Sequence, residues 1–127
     1  MAKEHVITII DDDPSVREAT QCLIRSLGHT AQAFSSAEEY VQSGAVRNSS
    51  CLITDLHMPG MSGADLQDWL IAEGHRVPII FVTAYFEERV RAQVMDAGAL
   101  GILRKPYSDE SLIACLNKAL NGGPAAQ

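Results

Sequence analysis

Four apolar stretches of this 127-residue sequence are each followed by residue types that take part in chemistry: carboxylates, a hydroxyl and an ammonium group. In chain order these residues are Asp11-Asp12-Asp13, Asp55, Thr83-Ala84 and Lys105-Pro106. If the four stretches are neighbouring parallel strands, their carboxyl ends meet at one edge of a sheet, where ligands bind in such folds. The spacing therefore predicts one crevice that holds all of these groups.

The carboxylates of Asp11, Asp12 and Asp55 repel one another if they lie together. At about 4 Å and an effective dielectric constant of about 20, each pair costs on the order of 4 kcal/mol. Protonation, a lysine or a hard cation offsets such a cost, and oxygen ligands suit Mg²⁺ or Mn²⁺. In the alternative interpretation these acids only cap the first helix. Capping needs one acid, and we expect Asp13 to serve that purpose alone.

Thr83 and Lys105 complement a different chemical group. A hydroxyl, a point positive charge and a backbone amide together match the oxygens of a phosphoryl group. Each residue alone is ordinary at the end of a strand, so the prediction depends on their sharing an edge with the acids.

The segment after Asp55 predicts a tight loop. Pro59 keeps Met58 extended, and Gly60 and Gly63 permit a reversal before the next helix. This geometry leaves Asp55 at an exposed edge of the sheet. We interpret it as a reactive or metal-bound carboxylate.

Short apolar runs rich in β-branched residues recur along the chain and predict five strands. They are Val6–Ile10, Thr30–Phe34, Cys51–Thr54, Ile79–Val82 and Leu100–Leu103. Segments with helical periodicity follow each run. This alternation predicts an α/β fold, a single doubly wound parallel sheet with helices on both faces. We expect one domain over residues 1–121 and a disordered tail, or the start of a linker, at 122–127.

Local signals predict the ends and inner faces of the helices. Asp13-Pro14 has the pattern of an N-cap followed by proline at the first helical position. The inner face of this first helix is predicted to contain Val16, Ala19, Leu23 and Leu27. Ser36 and Glu39 have the spacing of a capping box at the start of the second helix.

Composition excludes several classes of protein. Hydrophobic residues make up 46% of the chain and the net charge is −6, which indicates a globular domain and disfavours non-specific nucleic-acid binding. There is no apolar run of about 18 residues and no signal-peptide pattern, so we expect a cytoplasmic, non-membrane location. The isolated cysteines Cys22, Cys51 and Cys115 are expected to be small core residues.

Taken together, these motifs resemble a bacterial two-component response-regulator receiver domain. The resemblance covers Val6 to about Leu120 and is carried by Asp11-Asp12, Asp55, Met58-Pro59-Gly60, Ser62-Gly63, Thr83-Ala84, Ala97-Gly98-Ala99 and Lys105-Pro106. The segments Val82-Thr83-Ala84 and Arg104-Lys105-Pro106-Tyr107 are most similar to receivers of the NarL/FixJ type. The family implies a flavodoxin-like sheet with strand order 2-1-3-4-5.

The resemblance also implies the chemistry of the site. Asp55 is implied to take a phosphoryl group from the phosphohistidine of a sensor histidine kinase or phosphotransferase. Mg²⁺, or Mn²⁺ in its place, would be held by Asp11, Asp12, Asp55 and the backbone carbonyl of His57.

Three further residues are implied to bind the phosphoryl oxygens. They are Thr83, Ala84 and Lys105, and the Lys105–Pro106 peptide bond is cis in this family. The chain would then be a signalling switch that phosphorylates and dephosphorylates itself, not a turnover enzyme.

Switching in this family implies that Thr83 moves toward the phosphoryl group. The position in strand five that often carries a Tyr or Phe is Ile102 here, so either the aliphatic side chain moves less or Tyr85 and Tyr107 take part. For both tyrosines we favour ordinary half-buried packing. His57 and Tyr85 flank the expected site, and we hypothesise that they shield the phosphoryl group from water.

The output stays open at this point. Dimerisation through the fourth helix and fifth strand is an expectation by analogy. The chain belongs either to a stand-alone receiver or to a regulator with a C-terminal DNA-binding domain.

Three other classes fit the sequence less well. A haloacid-dehalogenase-type phosphatase needs a second acid two residues after the nucleophile, where this chain has His57. A flavodoxin-like cofactor binder needs a phosphate-binding loop after the first strand, where the three acids would repel the phosphate. A degenerate receiver that binds partners without phosphorylation would not need the complete set of site residues present here.

Overall fold

The computed structural model describes residues 5–121, and the tail predicted over residues 122–127 lies outside them. The strands are β1 (Val6–Ile10), β2 (Thr30–Phe34), β3 (Cys51–Asp55), β4 (Ile79–Thr83) and β5 (Gly101–Arg104). The helices are α1 (Pro14–Ser26), α2 (Ala37–Ser43), α3 (Gly63–Ala72), α4 (Glu88–Asp96) and α5 (Asp109–Leu120), with a short 3-10 helix at Ala45–Arg47. The predicted alternation of five strands and five helices is confirmed.

All five strands are parallel, in the order β2-β1-β3-β4-β5 that the resemblance implied. The register aligns the ends of the three central strands: Ile10 pairs with Thr54, and Asp55 pairs with Val82. Where β4 pairs with β5, Thr83 lies opposite Arg104. The residues that follow β1, β3, β4 and β5 therefore lie along one edge, because parallel strands end on the same side of a sheet.

The hydrophobic core has two parts, one on each face of the sheet. Side chains on successive strand residues point to opposite faces. Ile7 and Ile9 therefore pack in the cluster that includes Ile24 of α1 and Leu112 of α5, whereas Ile10 packs with residues of α2, α3 and α4. Every residue of β3 and β4 is buried, as the continuous apolar runs predicted.

The buried residues of α1 are not the ones predicted for its inner face. Thr20 and Ile24 are the buried residues of the helix, whereas Ala19 and Leu27 are exposed. The prediction counted apolar residue types only and so left out Thr20, whose methyl group packs well in a core. Asp13 caps the helix as expected, since its side chain accepts a hydrogen bond from the amide of Ser15 at 2.9 Å.

The capping box predicted at α2 is only half formed. Ser36 accepts from the amide of Glu39 at 3.1 Å, but the carboxylate of Glu39 accepts from the amide and hydroxyl of Ser35 instead. A complete box occurs at α3, where Ser62 and Asp65 each accept from the other's amide at 3.1 Å. The shorter aspartate supplies the reciprocal bond there.

The cysteines differ in their surroundings. Cys51 is buried in β3 and Cys115 is partly buried on α5, but Cys22 is exposed on α1, so the expectation of a core position was wrong for Cys22. Within residues 5–121, no helix is both long enough and apolar enough to cross a membrane.

Candidate functional site

Asp55 is the last residue of β3, and its two carboxylate oxygens have separate partners. Oδ1 accepts a hydrogen bond from the amide of His57 at 3.0 Å, and Oδ2 accepts one from the ammonium of Lys105 at 2.8 Å. The residue is only 7% exposed, so the expectation of an exposed position was wrong: the ladder of β3 and β4 extends through Asp55 and buries it. The end of a fully buried strand thus presents an oriented carboxylate at the edge of the sheet.

Asp11 and Asp12 follow β1 and lie beside Asp55. Asp11 is 2% exposed, and it accepts from the amide of Asp13 at 2.9 Å and from Lys105 at 3.0 Å. Asp12 is exposed. One carboxylate oxygen from each of Asp11, Asp12 and Asp55 lies within 4.8 Å of the other two. The predicted gathering of the three acids is therefore observed.

Lys105 follows β5 and joins the two buried acids. Its backbone amide donates to the carbonyl of Thr83 at 2.7 Å, and the Lys105–Pro106 peptide bond is cis, as the resemblance implied. Burial lowers the pKa of Lys105, but hydrogen bonds to Asp55 and Asp11 outweigh burial and raise it. Burial raises the pKa of Asp11, and its hydrogen bonds offset this only in part. The lysine is therefore held charged between the carboxylates.

Thr83 lies on the same edge, but its hydroxyl is directed to its own loop. The residue is fully buried at the end of β4. Its Oγ1 accepts from the amide of Tyr85 at 3.1 Å and donates to the carbonyl of Tyr85 at 2.8 Å. Ala84, between them, is exposed. The structure thus brings Thr83 to the predicted edge with its hydroxyl already engaged.

The side chains of His57 and Tyr85 lie beside each other in the loops that follow β3 and β4. Their ring centroids are 6.1 Å apart in an edge-to-face arrangement. Tyr85 is 66% exposed, so the half-buried packing favoured for it from sequence was wrong. Tyr107 does pack, partly buried, in the core cluster beside α1 and α5, and Ile102 is partly buried against the opposite cluster.

Two glycines shape the loop after Asp55, as predicted. Gly60 has φ of 75°, in the left-handed region that favours glycine. A Cβ at Gly63 would lie 2.6 Å from the carbonyl oxygen of Asp55 and 3.0 Å from Cα of Leu56. Glycine at this position therefore lets the start of α3 pack directly against the end of β3.

Sequence reasoning missed two residues that hold the backbone around the site. Arg17 of α1 donates to the carbonyl of Asp11 at 2.8 Å, and the carboxylate of Glu38 on α2 accepts from the amide of Met61 at 2.8 Å. Both groups are ordinary charged residues on predicted helices. The Glu38 contact crosses 23 positions, so local sequence pattern carries no signal for it.

The donor set of the crevice fits a small divalent cation. The three carboxylates and one ammonium leave a formal charge of −2 (three negative, one positive), which a divalent cation would balance. Carboxylate oxygens, with room on the exposed side of Asp12 for water, are the ligands that Mg²⁺ prefers.

Comparison with known proteins agrees with this geometry. The family model of the response regulator receiver domain matches residues 7–117. The response regulator protein TmoT of Ectopseudomonas mendocina is 37% identical over 122 residues, which are 96% of this chain and 56% of the relative. The transcriptional regulatory protein FixJ of Azorhizobium caulinodans is 32% identical over 114 residues, 90% of this chain and 54% of the relative.

A solved structure gives the same result in three dimensions. The response regulator StyR superimposes with a TM-score of 0.87 at 34% identity, covering 94% of this chain and 60% of the other. The chain belongs to the response regulator receiver domain family. The similarity to FixJ is consistent with the NarL/FixJ type.

Family membership settles the broad class of function. The domain serves two-component signalling, in which receiver domains interact with sensor kinases and typically use Mg²⁺. The phosphatase and flavin-binding alternatives are thereby wrong. The chain spans about half the length of the curated relatives it matches, 56% for TmoT and 54% for FixJ.

Proposed function

We propose that Asp55 is the phosphoacceptor of this receiver domain and that its donor is a phosphohistidine on a sensor histidine kinase or phosphotransferase. One observation carries the proposal. Lys105 reaches from β5 to bind Asp55 at 2.8 Å and Asp11 at 3.0 Å, beside the cluster of three carboxylates. Such an arrangement of an oriented nucleophile, fixed charges and a cation site supports phosphoryl transfer, where catalysis is mainly positioning and charge neutralisation.

In the reaction, a carboxylate oxygen of Asp55 attacks phosphorus and the bond from phosphorus to the imidazole nitrogen breaks. The product is an acyl phosphate on Asp55, and the donor imidazole, protonated by solvent on its other ring nitrogen, leaves as the neutral ring. Lys105, Thr83 and the amide of Ala84 bind the phosphoryl oxygens. The lysine is already charged and adjacent, so little reorganisation is needed as charge moves onto the phosphoryl group.

The divalent cation is proposed to be Mg²⁺, with Mn²⁺ able to replace it. Asp11, Asp12, Asp55 and the backbone carbonyl of His57 would hold it. When bound, the cation supplies positive charge that neutralises the carboxylates and the transferred oxygens. Lys105 alone leaves part of that negative charge uncompensated.

Switching is proposed to begin at Thr83. Its hydroxyl must leave both bonds to Tyr85 in order to reach a phosphoryl group on Asp55. That movement alters the loop before α4 and changes the face formed by α4, β5 and α5. Ile102, on β5 and packed against the core cluster of that side, is the aliphatic counterpart of the usual aromatic residue.

His57 and Tyr85 are proposed to lengthen the lifetime of the phosphorylated form. Their rings lie together in the loops that follow Asp55 and Thr83, and in this proposal they would limit the approach of water to the acyl phosphate. Substitution of either residue by alanine would shorten that lifetime. Unchanged dephosphorylation half-lives would exclude this role.

The domain acts in this proposal as a cytoplasmic switch that modifies only itself, not as a turnover enzyme. Phosphorylation would favour homodimerisation, or binding of another partner, at the face of α4, β5 and α5. FixJ is a transcriptional regulatory protein of about twice the matched length, so a DNA-binding output domain in the same polypeptide is one proposed context. A stand-alone receiver is the other.

Incubation with acetyl phosphate and Mg²⁺, followed by intact-mass measurement, tests the proposal. We expect the wild type to gain one phosphoryl group, whereas Asp55→Asn or the wild type in EDTA gains none. No gain by a wild-type protein that binds Mg²⁺ would contradict phosphoryl acceptance and favour a degenerate receiver with a constitutive partner.

A further inference from the structure

The loop between β3 and α3 is held differently at its two ends. Near the strand, Leu56 donates to the carbonyl of Val82 at 2.9 Å and accepts from the amide of Gly63 at 3.0 Å. These bonds belong to the sheet and to the start of α3. In the outer part of the loop, from His57 to Met61, the side chain of Met58 packs in the core, whereas Pro59 and Gly60 are exposed.

Glu38 adds a polar contact to this outer part of the loop from another helix. It is the second residue of α2 and is partly buried, and its Oε2 accepts a hydrogen bond from the amide of Met61 at 2.8 Å. The same oxygen lies against the backbone of Gly60, where an added Cβ would overlap it. The left-handed conformation and lack of side chain at Gly60 thus admit the carboxylate.

The next residue along the helix has a different arrangement. Glu39 is exposed, and its carboxylate accepts from Ser35, immediately before α2. Two adjacent glutamates in one helical turn therefore make one contact across the fold and one local contact. This pair offers a matched comparison.

We propose that Glu38 is a positioning residue for the cation site, acting through the amide of Met61 on the loop that carries the backbone carbonyl of His57. The proposal rests on the function proposed above, in which that carbonyl is a cation ligand. The contact is a hydrogen bond from a backbone amide to a side-chain oxygen. It fixes the outer loop before the cation binds, so the cation does not have to order the loop itself.

Loss of the contact is expected to weaken cation binding while leaving the fold intact. Groups that orient ligands without touching the metal typically contribute about 10-fold to 100-fold in affinity. We expect about a tenfold higher dissociation constant for Mg²⁺ in Glu38→Ala, since the loop remains anchored at its strand end. Glu38→Gln keeps an oxygen acceptor for the Met61 amide and should bind Mg²⁺ within about twofold of wild type.

The experiment is a calorimetric Mg²⁺ titration of the unphosphorylated protein, with hydrogen exchange of the Met61 amide measured by NMR. Glu38→Ala should show weaker binding and faster exchange, whereas Glu39→Ala should show neither. Glu38→Asp withdraws the carboxylate by one methylene and should weaken binding in the same direction. This second variant keeps the test decisive if Glu38→Ala does not fold.

The inference would be overturned by wild-type Mg²⁺ affinity in both Glu38→Ala and Glu38→Asp, or by an equal loss of affinity in Glu39→Ala. Weak binding by Glu38→Gln, equal to that of Glu38→Ala, would also overturn it, because charge rather than loop position would then be responsible. The titration needs no phosphoryl donor. A wild-type protein that binds Mg²⁺ but takes up no phosphoryl group would therefore contradict the proposed function alone.

Discussion

Replacement of Lys105 by methionine is expected to destabilise the fold strongly when divalent cations are absent and much less when they are present. The lysine ammonium contacts Asp55 at 2.8 Å and Asp11 at 3.0 Å. Both of these acids are almost fully buried. Methionine keeps an unbranched apolar side chain in place but leaves the two carboxylates facing each other without a positive charge.

The magnitude follows from the geometry. Oxygens of Asp11 and Asp55 lie within 4.8 Å of each other, so their repulsion at an effective dielectric constant of about 20 is on the order of 3 kcal/mol. Removing one partner of a buried ion pair typically costs about 3–5 kcal/mol. The side chains of Lys105 and Asp55 retain 18% and 10% exposure, and water relieves part of the cost. We expect the free energy of unfolding to fall by about 2–4 kcal/mol.

Urea unfolding followed by circular dichroism measures this effect, once in EDTA and once with excess Mg²⁺. In EDTA the midpoint of Lys105→Met should fall with an unchanged slope. Mg²⁺ at the proposed site would neutralise the same carboxylates and stabilise the folded state by mass action, so the difference from wild type should shrink. Lys118→Met, at an exposed position of α5, is the control and should change neither midpoint.

The reasoning would be refuted by a Lys105→Met protein that is as stable as wild type in EDTA. It would be refuted equally by a loss of stability of the same size with and without Mg²⁺. Either result would show that the ammonium does not compensate the buried carboxylates.

Three further predictions concern other parts of the fold. Burial raises the pKa of Tyr40 to about 12, so between about pH 10 and 12 the tyrosine ionises only in the unfolded state. In urea unfolding, wild type should therefore lose stability relative to Tyr40→Phe as the pH rises through this range. A maleimide should modify the exposed Cys22 in the folded protein, as measured by mass spectrometry. Cys51 is buried, and burial raises its pKa to about 12, so it should react only after unfolding. Gly63→Ala should lower the free energy of unfolding by roughly 1–3 kcal/mol in urea titrations, because its Cβ would overlap the carbonyl of Asp55.

The sheet was predictable because its strands carry a strong signal. Central parallel strands are buried on both faces, so they appear in sequence as continuous apolar runs. The predictions for β3 and β4 stopped one residue early, since Asp55 and Thr83 are polar. Both residues nevertheless belong to the ladder, where they pair with Val82 and Arg104. The polar residues at the ends of these strands thus belong both to the sheet and to the candidate site.

The gathering of the site residues was predictable for the same reason, whereas their individual contacts were not. Strand order and register bring the acids and Lys105 to one edge whatever their rotamers. The choice between adjacent glutamates is different: sequence pattern assigned a capping role to Glu39 and none to Glu38. In the fold, the loop carrying Met61 comes close to α2, and this long-range proximity decides which carboxylate is used.

The position of the Thr83 hydroxyl bears on the proposed switch, in which a phosphoryl group on Asp55 would alter the loop before α4. Two bonds to Tyr85 hold the hydroxyl, and neutral hydrogen bonds each contribute about 0.5–1.5 kcal/mol net. A hydrogen bond to a charged group contributes about 1.5–3 kcal/mol, a similar total. In the proposed switch, one bond to the charged phosphoryl group would therefore offset the loss of both bonds to Tyr85, and without that group only the bonds to Tyr85 can form. Without these two bonds, the loop before α4 would have no single conformation in the unphosphorylated state, and phosphorylation would have no defined conformation to change.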